Sequence, residues 1–141
     1  MPALETGDAF TLEAWVKPAR LGVTQTLFAK GGGYLFFLDG TGTLMLRKPN
    51  VSTFARSSTR IPLDGAFHHV AVTKSGPAVR IYIDGVDRTG TVSTQTIVKN
   101  TSPINIGTGT GLLAGTVDEA AVYPRALLAS EVASHKAAAG P

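Results

Sequence analysis

From Phe10 to Lys17 the chain alternates: Phe10, Leu12, Ala14 and Val16 are separated by Thr11, Glu13, Trp15 and Lys17. A period of two places the two sets on opposite faces of an extended strand. Gln25 to Lys30 is a second such run, closed by Gly31-Gly32-Gly33. Tyr34 to Asp39 (YLFFLD) is nearly continuous in apolar residues, as expected of a strand buried on both faces. Asp39-Gly40-Thr41-Gly42 then turns the chain into Thr43 to Lys48, because glycine accepts a positive φ. Pro49 to Thr59 is polar and predicts a loop with one short strand around Thr53 to Arg56.

Phe67 to Lys74 and Ala78 to Asp84 read as strands joined at Ser75-Gly76-Pro77. Asp84-Gly85 makes a tight turn into Val86 to Val92. Gln95 to Val98 is expected to pair at an edge, Ile104 to Gly107 is a short strand, and Gly115 to Tyr123 is the last. Ala129 to Ala139 is rich in helix formers, with Ser130 as the expected N-cap and Glu131 in the first turn. Roughly ten strands with turns about every ten residues predict an all-β, two-sheet antiparallel jelly-roll sandwich with one short C-terminal helix. No repeat or linker divides the chain, so residues 1–141 are expected to form one domain.

Composition sharpens this picture. Hydrophobic residues are 43% of the chain and charged residues 16%, enough apolar material for one core and too few charges for a disordered segment. The 13 basic residues are scattered, with no run longer than Arg47-Lys48, so a nucleic-acid groove is not expected despite a net charge of +3. Absence of cysteine excludes disulfides and thiolate metal sites. No apolar run approaches the roughly 20 residues of a membrane-spanning helix, and no membrane partner is expected. Met1 to Glu5 lacks the charged and apolar regions of a signal peptide. A trimmed domain, or exit by a non-secretory route, is the corresponding expectation.

Six segments in order resemble the laminin-G-like (concanavalin-A-like lectin/glucanase) family. They are Phe10 to Pro18, Leu27 to Gly31, Phe67 to Thr73, Val79 to Gly85, Ile104 to Gly107, and Gly115 to Tyr123 with Arg125-Ala126-Leu127. The resemblance implies the sandwich and, because the fold hosts many functions, does not choose a ligand. Domains of this type usually carry a further strand before the FTLEAWV-like segment. Only nine residues precede Phe10 here. An open sheet edge, available to a second copy or to another chain, is therefore expected.

Candidate chemistry centres on Glu13, His69 and Asp118, the polar residues inside the most family-like strands. Glycosidases of such a fold use paired carboxylates one residue apart on one strand. Glu13-Ala14-Trp15 lacks the second acid, so no enzyme is expected, and Glu13 and Asp118 are read as acceptors that order the core edge. The resemblance also implies a rim calcium ion, with Asp118 and Asp8 as favoured ligands and Asp39 and Asp64 behind them. His68 and His69 are adjacent on a strand and face opposite ways, and His135 lies far off in the sequence, so no zinc site is expected. No nucleophile elbow, phosphate loop or motif-backed Ser/His/Asp triad is present.

Trp15, Tyr34, Tyr82 and Tyr123 could stack on sugars, although Trp15 is expected to be mostly buried. The loops offer Asn50, Arg56, Asp87, Arg88 and Asn100 as ligand-binding residues. The resulting expectation is a non-catalytic binding module for a glycan or protein ligand, acting in adhesion or surface recognition. The alternative is a decoration or tail protein of a bacteriophage virion, which would explain release without an export signal. Either reading places the chain outside the cell or on a virion surface.

Overall fold

A computed structural model describes residues 9–30, 33–48, 52–93, 104–107 and 115–138. In chain order the strands are β1 (Ala9–Pro18), β2 (Gln25–Lys30), β3 (Tyr34–Leu38), β4 (Thr43–Lys48), β5 (Ser52–Arg60), β6 (His68–Ser75), β7 (Ala78–Ile83), β8 (Val86–Asp87), β9 (Thr89–Val92), β10 (Ile104–Ile106) and β11 (Gly115–Tyr123). Helix α1 (Ala129–Ala138) follows. Two antiparallel sheets form, ordered β11-β1-β6-β7-β8 and β10-β2-β3-β4-β5-β9. The jelly-roll sandwich read from the sequence is the fold observed. β5 is longer than the short strand expected there, and the expected Gln95–Val98 strand lies outside the described residues.

The core lies between the sheets. Phe10, Leu12, Ala14 and Val16 of β1 meet Tyr34, Phe36 and Leu38 of β3 and Leu44 and Leu46 of β4, all fully buried. Phe10 stacks on Tyr34 with ring centroids 4.6 Å apart, an aromatic contact from one sheet to the other. The chain crosses between sheets at Arg88. Its N–H donates to Ile81 O of β7 at 2.8 Å, and its carbonyl accepts from Ser58 N of β5 at 2.7 Å.

Alternation along β1 predicts a strand with one wet face, and the structure differs. Thr11, Glu13 and Trp15 are buried as well. The reason is the C-terminal segment, which lies across the outer face of the first sheet. Thr11 Oγ1 donates to Arg125 O and accepts from Leu127 N, both at 2.8 Å. Leu127 and Val132 then pack on Ala71, Tyr82 and Tyr123 in a second, smaller apolar cluster. Val132 is the one buried residue of α1, so the alanine-rich helix depends on this docking rather than on propensity.

The N-cap expectation is corrected. The helix begins at Ala129, which places Ser130 inside its first turn. The reciprocal half of a capping box does the work instead: Glu131 Oε1 accepts from Leu128 N at 2.9 Å, and the same carboxylate forks with Arg125. These contacts hold the Glu131 pKa down to about 2, led by the Arg125 hydrogen bond.

Asp84 and Gly85 adopt φ values of 53° and 78°, the two-residue turn expected between β7 and β8. Asp84 also ties the rim together. His68 Nδ1 stands 2.7 Å from Asp84 Oδ2, and its Nε2 stands 2.8 Å from Asp64 Oδ1. Burial pulls the His68 pKa down, but the two carboxylates outweigh it and hold it above 6.5. A raised histidine pKa contributes stability that is complete below 6.5 and is lost as pH rises through the folded-state value. Asp64, lowered below 3.8 chiefly by the His68 hydrogen bond, acts in the opposite sense, its contribution fading only on acidification. The urea midpoint should therefore fall from pH 6 toward the alkaline side, and His68→Gln should flatten that slope. A wild-type midpoint unchanged across neutrality would exclude the assignment.

Candidate functional site

On β1, Glu13 and Trp15 project from the outer face of the first sheet. The register sets Trp15 opposite His69 of β6 and Glu13 opposite Ala121 of β11. Between those positions β11 carries one extra residue, because Glu13 pairs with Ala121 while Trp15 pairs with Asp118. This β-bulge contains Glu119, a non-glycine residue with φ of 50°. Asp118 Oδ1 accepts the Glu119 N–H at 2.9 Å and holds the bulge. Helix α1 adds His135, one turn beyond the buried Val132, and then Ala138.

Together Glu13, Trp15, His69, Glu119, Ala121, Tyr123, His135 and Ala138 line an open cleft of about 310 Å³. That volume lies at the lower end of small-ligand sites, roughly 300–1,000 Å³. Glu13 is the cleft's organising acid. Tyr123 OH donates to its Oε1 at 3.1 Å, and His135 Nδ1 lies 2.9 and 3.0 Å from its two oxygens. His69 Nε2 stands 3.6 Å from Oε2, an ion-pair distance rather than a hydrogen bond. Burial pushes the Glu13 pKa up, but the contacts from His69, His135 and Tyr123 outweigh it and leave it below 4.5. Burial, then the charge of Glu13, push the Tyr123 phenol up.

His69 is 2% exposed, and its ring meets Trp15 edge-on with centroids 5.3 Å apart. Its Nδ1 is buried and has no hydrogen-bond partner. An unsatisfied buried polar atom costs about 1–3 kcal/mol.

Three of the loop residues expected to bind ligand lie within the described residues. Arg56 is exposed on β5, with Nη2 3.6 Å from Asp39 Oδ2. Asp87 caps its own turn by accepting from Thr89 N at 2.9 Å, and Arg88 stitches the sheets through its backbone. None of the three lines the cleft. Asn50, Asn100 and Asp8 lie outside the described residues. Among the described residues no group of three carboxylates or imidazoles is arranged to hold a metal ion. Asp118 is occupied at the bulge, Asp39 caps its turn through Thr41 and Thr43, and Asp64 is held by His68.

Of the four aromatic residues singled out, Tyr34 is core and Tyr82 lies in the small cluster, while Trp15 and Tyr123 reach the cleft. His135 is what sequence reasoning missed. It sits 122 positions from Glu13, and only docking of α1 on the sheet joins them.

A family model described as the concanavalin A-like lectin/glucanases superfamily, of the laminin-G type, matches residues 2–133. The chain belongs to this superfamily. No protein of curated function matches the chain in sequence. Solved structures similar to this superfamily member include domain 4 of an extracellular arabinanase from Geobacillus stearothermophilus, determined with arabinotriose. It is 24% identical, with a TM-score of 0.76 over 95% of this chain and 69% of that one. A putative carbohydrate binding protein from Bacteroides ovatus is 17% identical, with a TM-score of 0.75 over 94% of this chain and 42% of that one. A native heptameric SAP-like pentraxin from Limulus polyphemus is 20% identical, with a TM-score of 0.71 over 94% and 71%. At these identities the likeness is one of fold. The chain spans well under half the length of the Bacteroides protein.

Proposed function

We propose that this domain is a non-catalytic glycan-binding module of the concanavalin A-like superfamily, working in adhesion or surface recognition outside the cell. The observation that carries the reading is the cleft itself: Trp15 and Tyr123 beside carboxylates and an unpartnered buried imidazole nitrogen. Aromatic edges and alanine methyls suit the C–H face of a sugar, and carboxylates suit its hydroxyl groups. The printed descriptions of two structural neighbours, one determined with arabinotriose and one called carbohydrate binding, agree with it.

The state of Glu13 speaks against its serving as a general acid. A glycosidase acid needs a raised pKa, whereas this carboxyl is lowered and already engaged by Tyr123 and His135. The reading needs no cation, so EDTA should leave binding intact.

Trp15 is the one tryptophan of the chain. Its fluorescence therefore reports from the cleft wall. Titration with neutral arabino-, xylo- and gluco-oligosaccharides should give a saturable change with at least one series and no reducing-end products. Ala121→Leu, which fills the cleft, should weaken that binding about tenfold or more, the equivalent of ~1.4 kcal/mol. Flat emission and no binding across every series would remove the proposal, as would steady product release.

A further inference from the structure

The polar lining of the cleft is one-sided. Among the described residues its charged side chains are the carboxylates Glu13 and Glu119, its other titratable groups are His69, His135 and Tyr123, and neither lysine nor arginine lines it. Nearby Arg125 is held away by its fork with Glu131. Glu13 has its oxygens taken up by Tyr123 and His135, whereas the exposed Glu119 carboxylate has no partner among the described residues.

Glu119 reaches the cleft by an unfavourable route. Left-handed backbone at a non-glycine residue is strained, and such strain gathers at binding sites. Here it is fixed by the bulge and by the Asp118 carboxylate on the Glu119 N–H. The strained residue is thus one that lines the ligand space, and its side chain is exposed.

We infer that Glu119 sets the ligand class of this cleft, accepting hydroxyl groups of a neutral sugar residue and repelling uronic and sialic acids. The inference rests on the glycan-binding reading above. A carboxylate is acceptor-only, so it pairs with hydroxyl donors in charge-assisted bonds. An acidic sugar brings a second anion toward Glu13 and Glu119 in a partly desolvated site, where no cation offsets it.

The test is a set of Trp15 fluorescence titrations at pH 8, above the ordinary histidine range, at moderate salt. Arabinotriose and cellotriose are the neutral probes, trigalacturonate and sialyllactose the acidic ones. In the wild type the better neutral probe should bind at least about tenfold tighter than either acid. Glu119→Gln should weaken neutral binding and strengthen acidic binding, closing the gap to about threefold or less. Glu119→Gly, whose backbone accepts the left-handed φ, is the second variant and should close the gap while keeping the fold. Equal binding of acidic and neutral probes by the wild type would overturn the selectivity and leave the glycan reading standing. No binding of any probe would overturn both. An unchanged gap in both variants would remove Glu119 from the role.

Discussion

Replacing Phe10 by alanine should lower folding stability by about 3–5 kcal/mol, read as a shift of the urea midpoint at constant slope. Phe10 is fully buried on β1, the strand flanked by β11 on one side and β6 on the other. Its ring stacks on Tyr34 of the opposite sheet, with an interplanar angle of 15°. Truncation thus removes transfer energy, an aromatic contact and the bridge between layers, and leaves a void that rigid strands fill poorly. Leu63→Ala is the comparison, because Leu63 is 50% exposed and its loss should stay within about 0.5 kcal/mol. Equal effects at the two sites would mean that the core is not where the sandwich places it.

Glu13→Ala should produce the second large effect, about 2–4 kcal/mol, and a more local one. It removes the acceptor of Tyr123 and His135 and strips a charged neighbour from His69, whose Nδ1 has no hydrogen-bond partner among the described residues. Helix α1 then keeps Val132, Leu127 and the Thr11 contacts but loses its second attachment. Amide exchange in α1 should rise well before exchange in β6 or β3. Because the Glu13 pKa is lowered, its contribution is present above 4.5 and fades as pH falls through the folded-state value. Wild-type helix protection should therefore weaken on acidification, and the variant should lack that response. A variant with uniform loss across all strands would show that Glu13 supports the core and not the helix.

The layers and most strand boundaries were legible because side-chain alternation is local: Phe10 to Val16 declares its inward face within eight residues. The Asp84-Gly85 turn was legible for the same reason, since two residues carry its geometry. The outward face of β1 was not. Thr11 and Glu13 look like solvated residues until Leu127 and His135 arrive from more than a hundred positions away. Nor does any local signal mark Glu119, whose left-handed backbone arises from a register shift between two strands. Ser130 failed as a cap because Glu131 had a better option in Leu128 and Arg125 together. Fold was written in short-range pattern, and the cleft in long-range docking.

The register of β1 has a consequence for how the molecule assembles. Thr11 faces Thr73 on one side and Tyr123 on the other, partners separated from it by very different lengths of chain. Closing so wide a loop is entropically slow, which puts this protein among high contact-order folders. During synthesis the early strands can collapse into a half-finished sandwich while β1 still shows a bare flank to other nascent chains. The cleft needs β11 and the helix behind it, which follow the other strands in chain order. Ligand affinity therefore reports on the docking of these later elements and not on the pairing of the earlier strands.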